Sequence, residues 1–149
     1  MSTPDFTTAF LVNKTPEEVF DAINNVRGWW SEGVEGGTHQ LNDEFVYIYQ
    51  DLHYSKQKLI EVVPNKKVVW LVTDSQLNFI TNKSEWTGTK ISFEIAQKDN
   101  QTQLRFTHLG LVPNNECFDA CSGGWTTYIN SLQKLISTGK GKPDKKEMK

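Results

Sequence analysis

A strand-like stretch that runs into a long amphipathic helix constrains the fold of this chain more than any other feature. Residues 102–111 read TQLRFTHLGL, and from Cys117 to Ile136 the apolar residues recur at intervals of three and four. That spacing places them on one stripe of an α-helix. Because a stripe of this length must be buried, we expect the helix to pack across a sheet or over a cavity.

The ends of this helix carry local signals, and its middle carries an irregularity. Asn114 follows a proline and is a candidate N-cap, and Glu116 suits the positive end of the helix dipole. Gly139 is predicted to stop the helix. Gly123 and Gly124 lie in mid-helix, where each glycine costs about 0.5–1 kcal/mol relative to alanine. We therefore expect the sheet or a ligand to approach the helix closely at this pair.

The opening of the chain predicts a strand followed by two short helices. Residues 5–12 read DFTTAFLV and form the first predicted strand. Thr15 then supplies an N-cap hydroxyl, Pro16 suits the first helical position, and Glu18 completes a capping box. A second short helix is predicted over residues 26–31.

Strands dominate the middle of the chain. A glycine-rich loop is predicted at residues 33–37, and turn signals separate five further strands. These strands are predicted at 44–50, 53–63, 66–75, 87–97 and 101–111. Short turns pair neighbouring strands antiparallel. The prediction is an α+β fold: one curved antiparallel sheet of about six strands, two short helices after the first strand, and a long C-terminal helix packed across the sheet.

Charge and hydropathy exclude several classes of protein. The chain carries a formal net charge of −2, which gives no electrostatic case for binding nucleic acid. Residues 139–149 hold five lysines, one aspartate and one glutamate, a net +3 that leaves −5 for the rest. We expect a single domain over residues 1–138 and a basic, disordered tail over 139–149.

Targeting signals are not apparent in the sequence. The opening residues lack the basic and apolar regions of a signal peptide, and the longest apolar run, VVWLV from Val68, is too short to cross a bilayer. We expect a cytoplasmic protein that does not insert into membranes.

The order of these pieces resembles the START-like (SRPBCC, helix-grip) superfamily. The branch it is most similar to is the bacterial one related to the C-terminal domain of heat-shock-protein-90 ATPase activators. The segments that carry the resemblance are TPEEVFDAI, the pair Trp29-Trp30, EVVPNKKVVWLV, EWTGTKISFEI, LRFTHLGLVP, ECFDACSGGW and SLQKLI. Together they span about residues 5–142.

The resemblance implies a chamber between the sheet and the long helix. In relatives such a chamber takes sterols, other lipids, polyketides or plant hormones. The eukaryotic activators also carry a separate N-terminal domain that engages the chaperone, and the sequence shows no such domain before Phe6. The family therefore predicts the fold better than it predicts the function.

Candidate chemical groups each have an ordinary structural interpretation. Cys117 and Cys121 with His108, and with His39 or His53, are residue types that bind zinc. The cysteines lie on the apolar stripe, however, so we interpret them as reduced thiols that pack in the core, and we predict no metal and no cofactor. No nucleophile signature is visible, and no catalytic residue is assigned. His108 is interpreted as a neutral, hydrogen-bonded core histidine or as a polar anchor for a ligand.

The aromatic residues carry the strongest argument for binding. They are numerous for a small core, and tryptophan and tyrosine keep a polar group that needs a partner when it is buried. The residues predicted to line a ligand cavity are Trp29, Trp30, Trp70, Phe93, Phe106, His108, Cys121, Trp125 and Tyr128.

Three functions follow as hypotheses. The favoured one is a non-catalytic protein that binds a small hydrophobic or aromatic molecule. The first alternative is an enzyme similar to cyclases or aromatases, in which His108 would be needed for turnover. The second is a protein-interaction module with a chaperone as partner, which requires an exposed apolar patch on the outer face of the sheet. A homodimer is left open under all three.

Overall fold

A computed structural model describes residues 5–144 of the chain. The strands are β1 Phe6–Val12, β2 Glu35–Gly36, β3 Glu44–Tyr49, β4 His53–Val63, β5 Lys67–Leu77, β6 Lys90–Lys98 and β7 Gln101–Leu109. The helices are α1 Pro16–Asn24, α2 Val26–Trp29 and α3 Phe118–Thr138. None of the helices in this part of the chain is long and apolar enough to cross a membrane.

All seven strands form one antiparallel sheet in the order β1-β7-β6-β5-β4-β3-β2. The predicted α+β architecture, with two short helices after the first strand and a long C-terminal helix, is confirmed. The strand count is seven rather than about six, because β2 lies in the predicted glycine loop. Gly36 has φ +115°, and a Cβ there would lie 2.2 Å from the carbonyl oxygen of Glu44. Only glycine allows β2 and β3 to pair this closely. The same glycines make the segment look like a loop in the sequence, so the sequence does not predict the strand.

The capping box of α1 is confirmed. The backbone N–H of Glu18 donates to the Thr15 hydroxyl at 3.1 Å, and the Glu18 carboxylate accepts from the Thr15 backbone N–H. The predicted second helix is shorter than expected, since α2 ends at Trp29. Its last residue and Trp30 both point into the core and stack near Trp70, with ring centroids 6.3 and 5.8 Å from it respectively.

The long helix begins later than predicted. Asn114 is not its N-cap, because α3 starts at Phe118 and the residues before it form a turn. The Asn115 side chain accepts a hydrogen bond from the Val112 backbone N–H at 2.6 Å. Asparagine side chains that bond nearby backbone in this way favour turns over helix. The predicted stop at Gly139 is confirmed, with a left-handed φ of 84°.

The core lies between the concave face of the sheet and α3. The helix buries Cys121, Trp125, Ile129, Leu132 and Ile136 along the predicted stripe. Opposite them, alternate residues of two strands are buried: Ile91, Phe93 and Ile95 of β6 and Leu104, Phe106 and His108 of β7. Two-residue periodicity in the strands and helical periodicity in α3 therefore determine the two layers.

Residues 140–144, called here the C-terminal segment, lie against the domain. The Lys142 backbone N–H donates to the Ser131 hydroxyl at 2.7 Å, and the Asp144 N–H donates to the Trp30 carbonyl at 2.9 Å. Asp144 in turn accepts from the Glu32 N–H at 2.9 Å. The sequence assigned this segment to a disordered tail; the remainder of that tail, 145–149, lies outside the described residues.

Candidate ligand-binding site

A cavity of about 220 Å³ opens at one end of the domain, between the first half of α3 and two loops of the sheet. One loop is the tip of the β3–β4 hairpin, and the other connects β5 to β6 over residues 78–89. The lining residues are Trp30, Tyr47, Tyr49, Leu52, His53, Phe79, Trp86, Ala120, Cys121, Gly124, Trp125 and Tyr128. At an interior packing density of about 0.74, an occupant of about 160 Å³ would fill this space.

The hairpin supplies the outer rim of the cavity. Tyr47 and Tyr49 are two residues apart on β3 and so share the face that looks toward the helix. Gln50 adopts a positive φ of 52° as the chain turns, which brings Leu52 and His53 to the same rim. Tyr49 and Leu52 are each 39% exposed and Phe79 of the neighbouring loop is 41% exposed, so the mouth is apolar and open to solvent.

The helix supplies the opposite wall. Cys121, Trp125 and Tyr128 lie at helical spacing along one face, with Ala120 and Gly124 beside them. Gly124 leaves the space that a side chain would occupy, since a Cβ there meets only the Tyr128 ring at 4.0 Å. The expected close approach of the sheet at the glycine pair is wrong, because a Cβ on Gly123 meets no atom within 4 Å.

Two carboxylates bind the loop over residues 78–89 to the start of α3. The Glu85 carboxylate accepts from the backbone N–H groups of Glu116 and Cys117, at 3.0 and 2.9 Å. The Glu116 carboxylate accepts in return from the backbone N–H groups of Thr81 and Asn82, at 3.1 and 2.9 Å. These N–H groups lower the pKa of Glu116. Its position in the sequence indicated a role at the start of the helix. The Glu116 carboxylate instead binds the backbone of this loop.

A triangle of oxygen atoms closes the cavity wall where the hairpin meets the helix. The hydroxyls of Tyr47 and Tyr128 lie 2.8 Å apart and donate to one carboxylate oxygen of Asp144, at 3.0 and 2.7 Å respectively. Burial, together with Asp144 and the neighbouring phenol, raises the pKa of Tyr47, and burial is also the main cause that raises the pKa of Tyr128. Both phenols stay protonated at neutral pH and act as donors.

His53 brings a neutral imidazole to the cavity. Burial lowers its pKa to about 4, and its Nε2 lies 3.1 Å from the Ser55 hydroxyl. The Gln57 amide donates to the same hydroxyl at 2.6 Å. The His53 ring contacts Trp86, whose buried indole N–H has no hydrogen-bond partner within the described residues. The cavity therefore combines apolar walls with a few polar groups, as small-molecule sites commonly do.

His108 lies behind Trp125 and does not border the cavity. The Trp125 indole N–H donates to its Nδ1 at 3.0 Å, so the proton belongs on Nε2, which donates to the Thr89 hydroxyl at 2.8 Å. The Thr89 hydroxyl in turn donates a hydrogen bond to the Trp86 carbonyl. Burial, and secondarily repulsion from the His53 imidazole when that ring is protonated, lowers the pKa of His108 to about 3. His108 is thus a buried, hydrogen-bonded histidine of the core, and a role as a polar anchor for a ligand stays a prediction.

Four of the nine residues predicted to line a cavity do so: Trp30, Cys121, Trp125 and Tyr128. The other five, Trp29, Trp70, Phe93, Phe106 and His108, are fully buried and pack against one another or against α3. Alternation indicates which face of a strand looks inward but not how far along the strand the core ends. Whether any of the nine binds a ligand stays a prediction.

The remaining lining residues lie outside the predicted set of nine, although a signal for part of them exists in the sequence. Tyr47 and Tyr49 lie two residues apart, on one face of the strand that precedes a turn, and His53 is the first residue after that turn. Aromatic residues that continue to a hairpin tip, beyond the point where a core usually ends, indicate a binding rim. Phe79 and Trp86 lie in a loop without periodicity, and no comparable pattern marks them.

The two cysteines are closer than their spacing suggested. The structure places the sulfur atoms of Cys117 and Cys121 in direct contact as a disulfide, with the Cα atoms 5.4 Å apart. That separation is within the disulfide range, so the expectation of two reduced thiols that pack in the core is wrong. The reason is that Cys117 precedes the first residue of α3. No group of three or more histidine, cysteine, aspartate or glutamate residues is arranged to hold a metal in the described part of the chain.

Comparison with known proteins agrees with this architecture. Residues 13–137 match the family model described as "Activator of Hsp90 ATPase homolog 1-like protein". No curated protein matches the chain in sequence. Among solved structures, the Aha1 dimer from Colwellia psychrerythraea is 23% identical with a TM-score of 0.75, and the match covers 93% of this chain and 99% of that one.

More distant structures share the fold as well. Protein MLL2253 from Mesorhizobium loti is 15% identical with a TM-score of 0.68, over 88% of this chain and 96% of its own. Protein SSP2350 from Staphylococcus saprophyticus is 14% identical with a TM-score of 0.66, over 95% and 97%. At these identities the likeness establishes the fold alone. The resemblance to the START-like superfamily and its heat-shock-protein-90 activator branch is confirmed.

Proposed function

This chain belongs to the family of Activator of Hsp90 ATPase homolog 1-like proteins, and we propose that it binds a small aromatic molecule without transforming it. The cavity beside α3 is the observation that carries this proposal. An apolar cavity of about 150 Å³ holds benzene. A cavity of about 220 Å³ accordingly suits a molecule of one or two rings.

The chemistry of the walls favours an aromatic ligand over a lipid chain. Trp30, Trp86 and Trp125 offer ring faces and edges, and Trp86 stacks on Trp125 with centroids 5.7 Å apart. Flat ring systems gain edge-to-face and offset-stacked contacts with such walls. The imidazole of His53 supplies a polar group for a carbonyl or hydroxyl on the ligand.

The proposal is tested with ligand-observed NMR against a panel of one-ring and two-ring aromatic compounds. A compound that binds should also quench tryptophan fluorescence, since three indoles border the cavity. Gly124→Leu should fill the space and abolish binding. Gly123→Leu is the matched control. Gly123 directly precedes Gly124, but it is exposed and does not border the cavity. Equal binding by both variants, or no binding by any compound, would overturn the proposal.

The enzymatic alternative makes a different prediction for His108. An enzyme similar to cyclases or aromatases would use this residue in turnover, yet His108 is enclosed by Trp125 and Thr89. We propose instead that His108 supports the cavity wall. His108→Gln should then alter ligand affinity through Trp125, with no chemical change in the bound compound by mass spectrometry.

The chaperone alternative depends on the outer face of the sheet. Ile48 there is 57% exposed and pairs with Tyr54 across β3 and β4. The adjoining outer positions carry Lys56 and Lys58, so charged residues interrupt the apolar surface. A pull-down of Hsp90 with wild-type protein and with Ile48→Lys separates the two functions, since the cavity would be unaffected by this change.

Self-association is a further part of the proposal. The related Colwellia psychrerythraea protein is a dimer. The apolar mouth formed by Tyr49, Leu52 and Phe79 is a candidate contact between two copies of this chain. Light scattering after size exclusion would give the mass, and Leu52→Lys should favour the monomer. The predicted cytoplasmic location stays a prediction.

A further inference from the structure

The C-terminal segment, residues 140–144, holds a carboxylate against the cavity wall. Asp144 accepts hydrogen bonds from Tyr47 and Tyr128, two residues that border the cavity, and its backbone pairs with Trp30 and Glu32. One face of each phenol therefore meets the cavity, while its hydroxyl is occupied by a residue from the end of the chain.

The oxygen triangle is arranged to bind an oxyanion. Two phenol hydroxyls converge on a single carboxylate oxygen, and hydrogen bonds to a charged acceptor are shorter and stronger than neutral ones. Both hydroxyl protons point at the Asp144 oxygen, an acceptor, and the 2.8 Å contact between the two phenol oxygens then has no proton of its own. No lysine or arginine takes part in the hydrogen bonds described around this triangle, so recognition depends on the phenols.

The C-terminal segment reaches this position by a close approach that requires glycine. A Cβ on Gly141 would lie 2.5 Å from the Gly28 carbonyl oxygen and 3.0 Å from the Ser131 carbonyl oxygen. Both are backbone atoms that cannot move aside. The Lys142 N–H bond to Ser131 then directs the chain toward Trp30. A few hydrogen bonds hold the segment, and no apolar side chain of it belongs to the core.

We propose that Asp144 occupies the place of the carboxylate of the ligand, and that the cavity binds a small aromatic carboxylic acid in competition with the C-terminal segment. The aromatic part of the acid lies in the cavity against Trp30, Trp86 and Trp125, and its carboxylate accepts from Tyr47 and Tyr128 once Asp144 leaves. This inference rests on the proposed function and adds to it the charge of the ligand and the residues that recognise it.

The test compares 2-naphthoate with its neutral analogue naphthalene-2-carboxamide by titration of tryptophan fluorescence. If the segment occupies the phenols about nine-tenths of the time, Asp144→Ala should bind 2-naphthoate about tenfold more tightly than the wild type. Affinity for the carboxamide should change less than about twofold. Gly141→Ala should reproduce the effect while keeping Asp144, because it displaces the segment by collision with Gly28.

The role of the phenols is tested in the Asp144→Ala background. Adding Tyr47→Phe and Tyr128→Phe should remove the tenfold gain for 2-naphthoate and leave carboxamide binding in place. In the wild type, 2-naphthoate should also shift the NMR signal of the Glu32 amide, which is bonded to the Asp144 carbonyl.

The outcomes separate this inference from the proposed function. If the carboxamide binds and Gly124→Leu blocks it, but Asp144→Ala leaves 2-naphthoate affinity unchanged, the competition is refuted and the cavity proposal stands. If neither compound binds to any variant, this inference is overturned, whereas the proposed function is overturned only when no compound of the aromatic panel binds. Circular dichroism of each variant establishes that it is folded before it is titrated.

Discussion

The indole N–H of Trp125 donates to Nδ1 of His108 across the interface between α3 and β7, at 3.0 Å. This bond joins the two layers of the fold at the base of the cavity. Trp125 borders the cavity with its ring, and His108 is fully buried behind it. The position of the cavity floor therefore depends on a hydrogen bond that no ligand contacts.

Removing the indole N–H should destabilise the protein by leaving a buried nitrogen without a partner. Trp125→Phe is expected to cost about 2–4 kcal/mol in the free energy of unfolding, from the unpaired Nδ1 of His108 and from the smaller ring. Urea denaturation measures this cost. A double-mutant cycle with His108→Leu should give a coupling energy of about 1–3 kcal/mol. Costs that simply add would contradict the link between the two side chains.

Acid should destabilise the protein through its two buried histidines. Burial lowers the pKa of His53 to about 4 and of His108 to about 3, whereas both titrate near 6.5 when unfolded. The unfolded state then binds more protons below pH 6.5, so stability falls as the pH falls. The slope approaches about 1.4 kcal/mol per pH unit for each histidine. The loss ends for His53 below its folded pKa and continues for His108 to a lower pH.

Urea denaturation between pH 7 and pH 5 checks this dependence, because most carboxylates stay ionised in that range. His53→Gln is the matched variant and should reduce the slope by about half. A wild-type stability that stays constant over this range would show that the histidines are accessible to protons in the folded state.

Alanine at either glycine of the pair should stabilise α3. Neither Gly123 nor Gly124 has a positive φ, and a Cβ at each meets at most an ordinary contact. Each substitution is expected to raise the free energy of unfolding by about 0.5–1 kcal/mol. Thermal denaturation measures the gain. The two should differ in ligand binding, which Gly124→Ala weakens and Gly123→Ala leaves unchanged, and a loss of stability at Gly123 would refute the open space described there.

The cysteine pair should be oxidisable within a single chain. Because the Cα atoms of Cys117 and Cys121 are 5.4 Å apart, mild oxidation of the reduced protein is expected to give a monomer lighter by two hydrogen atoms and inert to thiol alkylation. Intact-protein mass spectrometry checks this result. Cys121→Ser provides the control, since it should take up one alkyl group under the same conditions. Free reaction of both thiols after oxidation would contradict the pairing.

The layers of this fold follow from periodic patterns, whereas its binding rim does not. Alternation in β6 and β7 and the stripe of α3 determine which faces meet, and Phe106 and Trp125 are in contact there with ring centroids 4.7 Å apart. The cavity lies beyond the end of that pairing, where Phe79 and Trp86 are brought in by a loop held through Glu85. Such a loop is positioned by contacts between residues about thirty apart, which periodicity does not encode.

The same limit applies to both ends of α3. Asn114 has the chemistry of an N-cap. Its neighbour Asn115 accepts a hydrogen bond from the Val112 N–H in a turn, so the helix begins only at Phe118. After Gly139 the composition resembles that of a disordered tail, yet Asp144 finds two phenols from elements far away in sequence. Local composition describes the preference of a segment only when no specific partner competes for it.

The pairing of β1 with β7 affects how the protein is made. Phe6 lies opposite His108, so β1 has no neighbour until about one hundred further residues have left the ribosome. During translation at about 5–20 residues per second, the edge of β1 is exposed for several seconds. Sheets closed by contacts so distant in sequence fold slowly. A holding chaperone that shields this strand would therefore be most needed before the protein has any binding site of its own.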